Sequence, residues 1–489
     1  MLYVMIKNKR IILLFVLLLF RLSGVQYDYV LKSSNIDGVV KDQISLIDSV
    51  LVSQYEPLSS KQINGIYKQV FKSTINKIDS RVLSYAKKTG FNGTILLAKD
   101  GVTIFKRNIG YSNFENKLAI SDSSEFQLAS VSKQFTSVAI LLLAEENKLD
   151  IDDDINKYFP KLNLKDVHIK HLLNHTAGLS DYIPIVLNKW TEKYAPTNLE
   201  VIKLLEKNRL KQRFIPSTQF QYSNTGYFLL ASIVEKITGM TLNNYLTENV
   251  FIPLGMNHTK VYDSGHTEWG KEQLKGYRKN KYYYSAFNQS IIDGVVGDKG
   301  VYASADDLAK WTDALFNGEI INDEMLSKAI EKSHLDNGTS VRYGYGLRVF
   351  EDYNGTMIYH NGSWGGFRTT SRYYIDESVS LIVLSNNSYT HLGELARRVK
   401  NTFDDNNGES ELLCVVKNIL LKKKVDNSKI QISIGKKNEM MDIVALVKNY
   451  NHQWLAQEFQ SSISLYDNKD YEFYALADNT ISSVINEKY

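Results

Sequence analysis

Apolar and polar positions change their period several times along the chain. Through residues 25–88 apolar side chains recur at helical spacing, as at Ile44, Ile47, Val50 and Leu51 and again at Ile66, Val70, Ile75 and Ile78, which predicts a helical lead-in. Aliphatic and β-branched residues from Thr94 to Ala98 and from Val102 to Phe105 flank Lys99-Asp100-Gly101, the signature of two strands joined by an Asp-Gly turn. Helical segments dominate the middle of the chain, and strands return at Met357 to His360, Arg368 to Tyr374 and Leu381 to Ser385. A sheet assembled from both ends of one domain, with helices inserted between, predicts an α/β sandwich plus an all-helical lobe.

Two flanking regions break this pattern. Lys7, Lys9 and Arg10 precede an unbroken apolar run from Ile11 to Phe20, which reads as a secretory leader over residues 1–24, cleaved after Gly24 or kept as an anchor. Ten apolar residues span only about 15 Å as a helix, roughly half a bilayer core. The expected product is therefore periplasmic or secreted, touching a membrane only through an uncleaved leader. The polar stretch Asp404 to Ser410 closes the large domain expected over 89–403. Alternating segments such as Ile430 to Ile434 and Tyr471 to Ala477 then predict a small β-rich appendage over 411–489.

Composition narrows the function. The 489 residues are 43% hydrophobic and 23% charged, so the chain is globular. Lysine and arginine number 58 against 54 acidic residues, and a net charge of +4 on so large a surface argues against a nucleic-acid partner. The one cysteine, Cys414, excludes an internal disulfide and thiolate-rich zinc sites.

Three stretches carry candidate chemistry. The first is Ser130-Val131-Ser132-Lys133, opening a helix that is apolar nearly all round through Ala144. Serine and lysine three apart share one helix face. A hydroxyl at the helix start meets convergent backbone N–H groups and the positive dipole end. Desolvation of Lys133 is expected to favour a neutral amine able to accept the serine proton. The second is Tyr222-Ser223-Asn224, before an apolar helix that ends at Gly239. In an extended loop that spacing points a phenol and an amide to one side, where the phenol can relay a proton and the amide can hold a carbonyl. The third is His360-Asn361-Gly362-Ser363 at the end of a strand. Gly362 would admit a substrate to the backbone, and the Ser363 N–H would be an oxyanion donor beside that of Ser130.

Taken together, in this order, the three stretches resemble the serine β-lactamase and penicillin-binding protein group, in the branch nearest class C β-lactamases, D,D-peptidases and related esterases. The likeness runs from Phe91 to Ala396 and includes His171-Leu172-Leu173-Asn174-His175-Thr176-Ala177-Gly178-Leu179, Gly300 to Leu308 and Tyr343-Gly344-Tyr345-Gly346-Leu347. It implies an antiparallel sheet in the sandwich and a serine hydrolase working through an acyl-enzyme without a cofactor. By the same likeness Ser130 would be the nucleophile, Lys133 and Tyr222 the proton-transfer pair with the base unassigned between them, and Asn224, His360, Gly362 and Ser363 the substrate wall. Substrates implied are peptides of D-Ala-D-Ala type, β-lactams or esters, peptidoglycan-derived ones among them. The rival reading is a penicillin sensor or cell-wall-binding protein that keeps the fold without turnover. Where relatives carry lysine in the third motif this chain has His360, largely neutral at pH 7, so carboxylate recognition would need help, and Arg368 stands close in sequence.

Other signals are assigned structural roles. His171 and His175 lack the glutamate of a zinc helix, and the aspartates from Asp150 to Asp154 lack the glycine and distal glutamate of a calcium loop, so no metal is expected. Ser304 with Asp307 resembles a capping box, and Lys422, Lys423 and Lys424 a solvated face.

Overall fold

The computed structural model describes residues 71–264, 268–280, 282–352 and 355–405, together with the backbone of four strands between 430 and 476. The leader, most of the lead-in, Cys414 and the lysine run lie outside the described residues. Among the described residues no helix is long and apolar enough to cross a membrane.

The expected hairpin is β1 (Gly93–Lys99) and β2 (Val102–Ile109). Asp100 and Gly101 both take positive φ, 51° and 76°, the left-handed pair that a two-residue turn between twisted strands requires. The later strands are β3 (Arg348–Asp352), β4 (Gly355–Trp364), β5 (Phe367–Tyr374) and β6 (Val379–Ser385). They form one antiparallel sheet in the order β3-β4-β5-β6-β1-β2, with Gly93 opposite Ser385 and Lys99 opposite Val379. The two ends of the domain thus meet inside a single sheet.

The five longest helices among the described residues organise the rest: α1 (Lys72–Thr89), α2 (Lys133–Glu145), α3 (Asn224–Thr238), α4 (Ala305–Phe316) and α5 (Leu392–Asp404). β1 and β6 are buried almost end to end, so both faces of the sheet are covered. Neighbouring side chains show by what. Lys106 of β2 pairs with Asp306 of α4 at 2.7 Å, while Arg107 pairs with Asp79 of α1 at 2.6 Å. Adjacent strand residues point to opposite faces, so α1 and α4 lie on opposite sides. The pattern repeats on β5, where Tyr373 stacks on Phe316 of α4 at 4.1 Å and Lys400 of α5 sits 4.5 Å from the Tyr374 ring. The domain is the expected α/β sandwich.

Between β2 and β3 the chain builds the helical lobe around α2 and α3. Residues Lys133 to Leu141 of α2 are all buried. Tyr227 of α3 donates its hydroxyl to the Leu173 carbonyl at 2.6 Å and stands 3.3 Å from Ser137 Oγ of α2. α3 starts under a Ser223 cap and stops at Gly239, φ 71°, where the sequence places its end. Sandwich and lobe are joined where Phe135 of α2 stacks on Trp311 of α4 at 4.0 Å, with the indole N–H donated to Gln134 at 3.1 Å. Ser304 caps α4 by accepting from the Asp307 N–H, but the Asp307 carboxylate turns away to the His258 N–H, so the capping box is half formed.

The compact unit containing this domain spans Ile78–Asn401. A second unit holds an antiparallel meander of β7 (Ile430–Lys437), β8 (Met440–Lys448), β9 (Trp454–Ser462) and β10 (Tyr474–Leu476). Its strands include the alternating segments at Ile430 to Ile434 and within 471–477.

Phe135 and Trp311 are both fully buried, so Phe135→Ala empties the joint between sandwich and lobe. Unfolding free energy in urea should drop by about 3–5 kcal/mol. A drop below about 1 kcal/mol would show that the joint closes without the ring.

Candidate active site

The nucleophile candidate stands on a constrained turn. Phe126–Gln127 pairs with Val301–Ala303, and the Leu128 N–H extends the pairing to the Val301 carbonyl at 2.8 Å. The chain then reverses through Ala129, whose φ of 52° lies in the left-handed region that costs a non-glycine residue about 1 kcal/mol. Ser130 sits in a 3₁₀ turn, Ala129–Ser132, rather than in the first turn of α2 as expected. Side chains three apart eclipse one another in a 3₁₀ turn. The geometry places Lys133 Nζ 3.3 Å from Ser130 Oγ.

Lys133 is 0% exposed. Its remaining hydrogen bonds go to Asn224 Oδ1 at 3.0 Å and the Asp298 carbonyl at 2.7 Å, so three donors meet three acceptors from three parts of the chain. Asn224 reaches it from the first turn of α3, across the extended Ser223. The Asp298 carbonyl is delivered by a loop whose flanking glycines, Gly297 and Gly300, take φ of 105° and 104°. A β-carbon on Gly297 would fall 2.5 Å from the Ala231 side chain, and Thr136 Oγ1 fixes the Gly297 carbonyl at 2.8 Å. The Asp298 carboxylate faces away, in a buried cluster with Lys299 and Tyr182.

Tyr222 presents its ring 5.0 Å from Lys133 Nζ, and its hydroxyl is buried without a hydrogen-bond partner. Below it lies His175, φ 62°, with its ring 4.3 Å from Tyr222 and 4.5 Å from Tyr343. His175 Nδ1 accepts the Ser223 N–H at 3.1 Å, pinning the residue between Tyr222 and Asn224. The proton of the neutral ring is therefore on Nε2, which has no partner.

On the far wall, His360 lines the cleft yet is 1% exposed, with both nitrogens engaged. Nδ1–H donates to the Asn361 carbonyl at 2.8 Å, and Nε2 accepts the Tyr343 hydroxyl at 3.1 Å. Burial, reinforced by the charges of Lys133 and Arg348, holds its pKa well below the ordinary value. A ring so occupied buttresses the wall and has no donor left for a substrate, contrary to the expected binding role. Gly362 also differs from expectation. A β-carbon there would meet the Leu128 carbonyl at 2.2 Å and Thr369 Oγ1 at 2.2 Å, so the missing side chain admits the turn before Ser130 rather than a substrate. Thr369 Oγ1 itself donates to the Leu128 carbonyl at 2.7 Å.

Ser130, Tyr222, His360, Gly362 and Ser363 line one cleft of about 540 Å³. Arg348 and Arg368 line it too, and among the described residues neither has a carboxylate partner. Arg348 lies 5.5 Å from the Tyr222 ring and 5.6 Å from that of Tyr343. Because β3 pairs with β4 only from Gly355 to Tyr359, β4 presents an unpaired edge from His360 to Trp364 on the cleft side.

The structure thus brings Ser130, Lys133, Tyr222 and Asn224 together and adds Asp298, His175 and Arg348, which the sequence reading does not single out for the site. A charged pair between glycines inside the apolar run Val295 to Val301 was the available signal for Asp298. Arg348 directly follows the Tyr343-to-Leu347 motif. Among the described residues no group of three or more histidines, cysteines and carboxylates is arranged to hold a metal. His171 accepts the His168 N–H at 3.1 Å, and Asp154 caps the turn after it through the Asn156 N–H.

This constellation, on this fold, defines a class, and the comparisons with known proteins agree. The chain belongs to the Beta-lactamase family, whose model matches residues 79–402. It is similar to Penicillin-binding protein 4* of Bacillus subtilis (strain 168), 32% identical over 315 residues that cover 61% of this chain and 69% of that protein. Teichoic acid D-alanine hydrolase of Staphylococcus aureus is 25% identical over 362 residues, covering 72% of this chain and 84% of the relative. A crystal structure of a penicillin binding protein from Bacillus halodurans shares the fold, with a TM-score of 0.57 and 24% identity over 66% of this chain and 98% of the other.

Two outcomes follow from the geometry. Gly362→Ala forces β4 away from the Leu128 carbonyl, and serine acylation by a fluorophosphonate should slow by roughly tenfold or more, about 1.4 kcal/mol in the barrier. An unchanged rate in the stopped-flow trace would mean that the close approach is not what positions Ser130. The second concerns pH. Burial lowers the pKa of His175 and His360 well below the usual value and that of His171 to about 4, so all three are neutral in the fold. The unfolded chain binds these protons near pH 6.5 and the native one does not. Stability should thus be full above about pH 6.5 and fall below it, by up to about 1.4 kcal/mol per pH unit for each histidine. Urea midpoints that coincide at pH 7 and pH 5 would contradict this.

Proposed function

We propose that the chain is an exported serine hydrolase that works through an acyl-enzyme on amide, lactam or ester carbonyls. The observation that carries this reading is the fully buried Lys133, 3.3 Å from Ser130 Oγ and tied to Asn224. In it Ser130 Oγ bonds to the carbonyl carbon as its proton passes to the Lys133 and Tyr222 pair. The backbone N–H groups of Ser130 and Ser363 hold the oxyanion. As the carbon–leaving-group bond breaks, the same pair returns the proton to the leaving atom, and water then releases the acyl group. Asn224, anchored on Lys133, orients the substrate carbonyl.

The leaving group lies on the Tyr222 side, within the cleft lined by Arg348 and Arg368. With His360 neutral and fully engaged, these two guanidinium groups take over recognition of an anionic leaving group, a peptide carboxylate or a phosphate-bearing alcohol. A relative named a D-alanine hydrolase supports D-alanyl substrates of this kind, with β-lactams the weaker class. The basic and then apolar N-terminus supports export to the periplasm or medium, with the leader ending near Gly24.

Intact-mass spectrometry on protein recovered from the producing cell's envelope or medium tests the reading. Wild-type protein should gain one fluorophosphonate adduct, Ser130→Ala none, and the mass should lack the leader. Labelling that survives in Ser130→Ala would end the assignment. Acylation by D-alanyl esters that never turns over would convert the enzyme into a binding protein, and a cytoplasmic protein with its leader intact would remove export.

A further inference from the structure

Behind Lys133 lies a buried charged cluster that the proposed reaction does not use. Asp298 and Lys299 are 2% and 3% exposed, and Tyr182 is 0% exposed. The Tyr182 hydroxyl donates to Asp298 Oδ2 at 3.2 Å and accepts from Lys299 Nζ at 2.9 Å. Nζ donates further to Asp298 Oδ1 and to the Val295 carbonyl, both at 3.3 Å. Burial, and then the Asp298 charge, push the Tyr182 pKa well above its ordinary value, so the hydroxyl keeps the proton it donates. None of the three side chains lines the cleft that contains Ser130. A buried ion pair seldom offsets its own desolvation, so stability alone is a poor account of this one.

The cluster brackets a single peptide bond. The carbonyl that accepts from Lys133 belongs to the peptide joining Asp298 to Lys299. Any residue could supply that oxygen, but the loop around it is permissive. Gly297 and Gly300 take φ of 105° and 104°, conformations that only glycine adopts freely, and such flanks leave the intervening peptide able to rotate. Clamping both side chains of that peptide to each other and to Tyr182 opposes the rotation. Tyr182 also reaches the other fixed acceptor of Lys133, because its backbone N–H donates at 2.9 Å to Thr225 Oγ1, one residue after Asn224. We infer that Asp298, Lys299 and Tyr182 are positioning residues, a strut that holds the Asp298 carbonyl and the Asn224 amide at the spacing that aims Lys133 at Ser130. This rests on the serine-hydrolase reading and adds to it a unit whose side chains lie outside the cleft.

The test is reaction of the full-length enzyme with a fluorophosphonate, followed over a range of reagent concentrations so that the limiting rate and the binding constant separate, with urea midpoints measured alongside. Misplacing reacting groups by about 1 Å can cost about a hundredfold, so Tyr182→Phe, which removes only the hydroxyl, should lower the limiting rate by about tenfold or more and leave binding within about twofold. Asp298→Ala alone strands the Lys299 ammonium and should lose both stability and rate. Asp298→Ala combined with Lys299→Met removes both charges, so the urea midpoint should recover while the limiting rate stays low. A merely structural pair predicts that rate and midpoint recover together. A wild-type limiting rate in the folded double variant, or in Tyr182→Phe, would overturn the strut and leave the hydrolase standing. Should the double variant not fold, Tyr182→Phe decides alone. Labelling of Ser130→Ala at the wild-type rate would instead sink the hydrolase reading itself.

Discussion

The site depends on a lysine kept wholly inside the protein. An ammonium or amine at that depth is tolerable only if each of its protons finds an acceptor, because an unmade hydrogen bond in the interior costs about 1–3 kcal/mol and more where charge is involved. Lys133 meets the condition with Ser130 Oγ, Asn224 Oδ1 and the Asp298 carbonyl. Those partners belong to the 3₁₀ turn before α2, the start of α3 and the glycine-flanked loop before α4. The requirement to satisfy one side chain therefore sets the mutual position of three segments, and that of Ser130 is among them.

The backbone accommodates this arrangement by strain and by absent side chains. Ala129 and His175, both at positive φ, reverse the chain immediately before Ser130 and below Tyr222. Gly362 and Gly297 allow contacts that any β-carbon would block. Such positions are stable only because their surroundings hold them. The Leu128 carbonyl is held by Thr369 and the Ser223 N–H by His175, so the restraints sit next to the strained residues.

Elements whose signal is local were legible in the sequence. The Asp100-Gly101 turn, the apolar α2 and the Ser223-to-Gly239 limits of α3 are each written in a few adjacent residues. The Ser130 and Lys133 pairing follows from spacing alone, although the helix type beneath it does not, because a 3₁₀ turn and an α-turn share that face. What the sequence concealed acts through the backbone or across the fold. Asp298 contributes a carbonyl, a group every residue has, so its identity carries no mark of the role. His175 works through a backbone N–H 48 residues away. Gly362 reads equally well as a place for a substrate or for the Leu128 carbonyl, and only tertiary packing decides between them.

Histidine in place of lysine on β4 has an electrostatic logic of its own. An ammonium at position 360 would be buried out of water close to Lys133, where an unpaired charge is costly. Neutral His360, held well below its usual pKa by burial and then by the charges of Lys133 and Arg348, avoids that cost. Under the proposed function the cationic role falls to the flanking strands, where Arg348 stands opposite Tyr359 and Arg368 opposite Ser363. Both guanidinium groups are part-exposed, unlike the ring they replace, so their charge is hydrated until an anion displaces the water. Under the proposed function, that leaves proton transfer to Lys133 and Tyr222 in the core and anion recognition to the two arginines at the mouth.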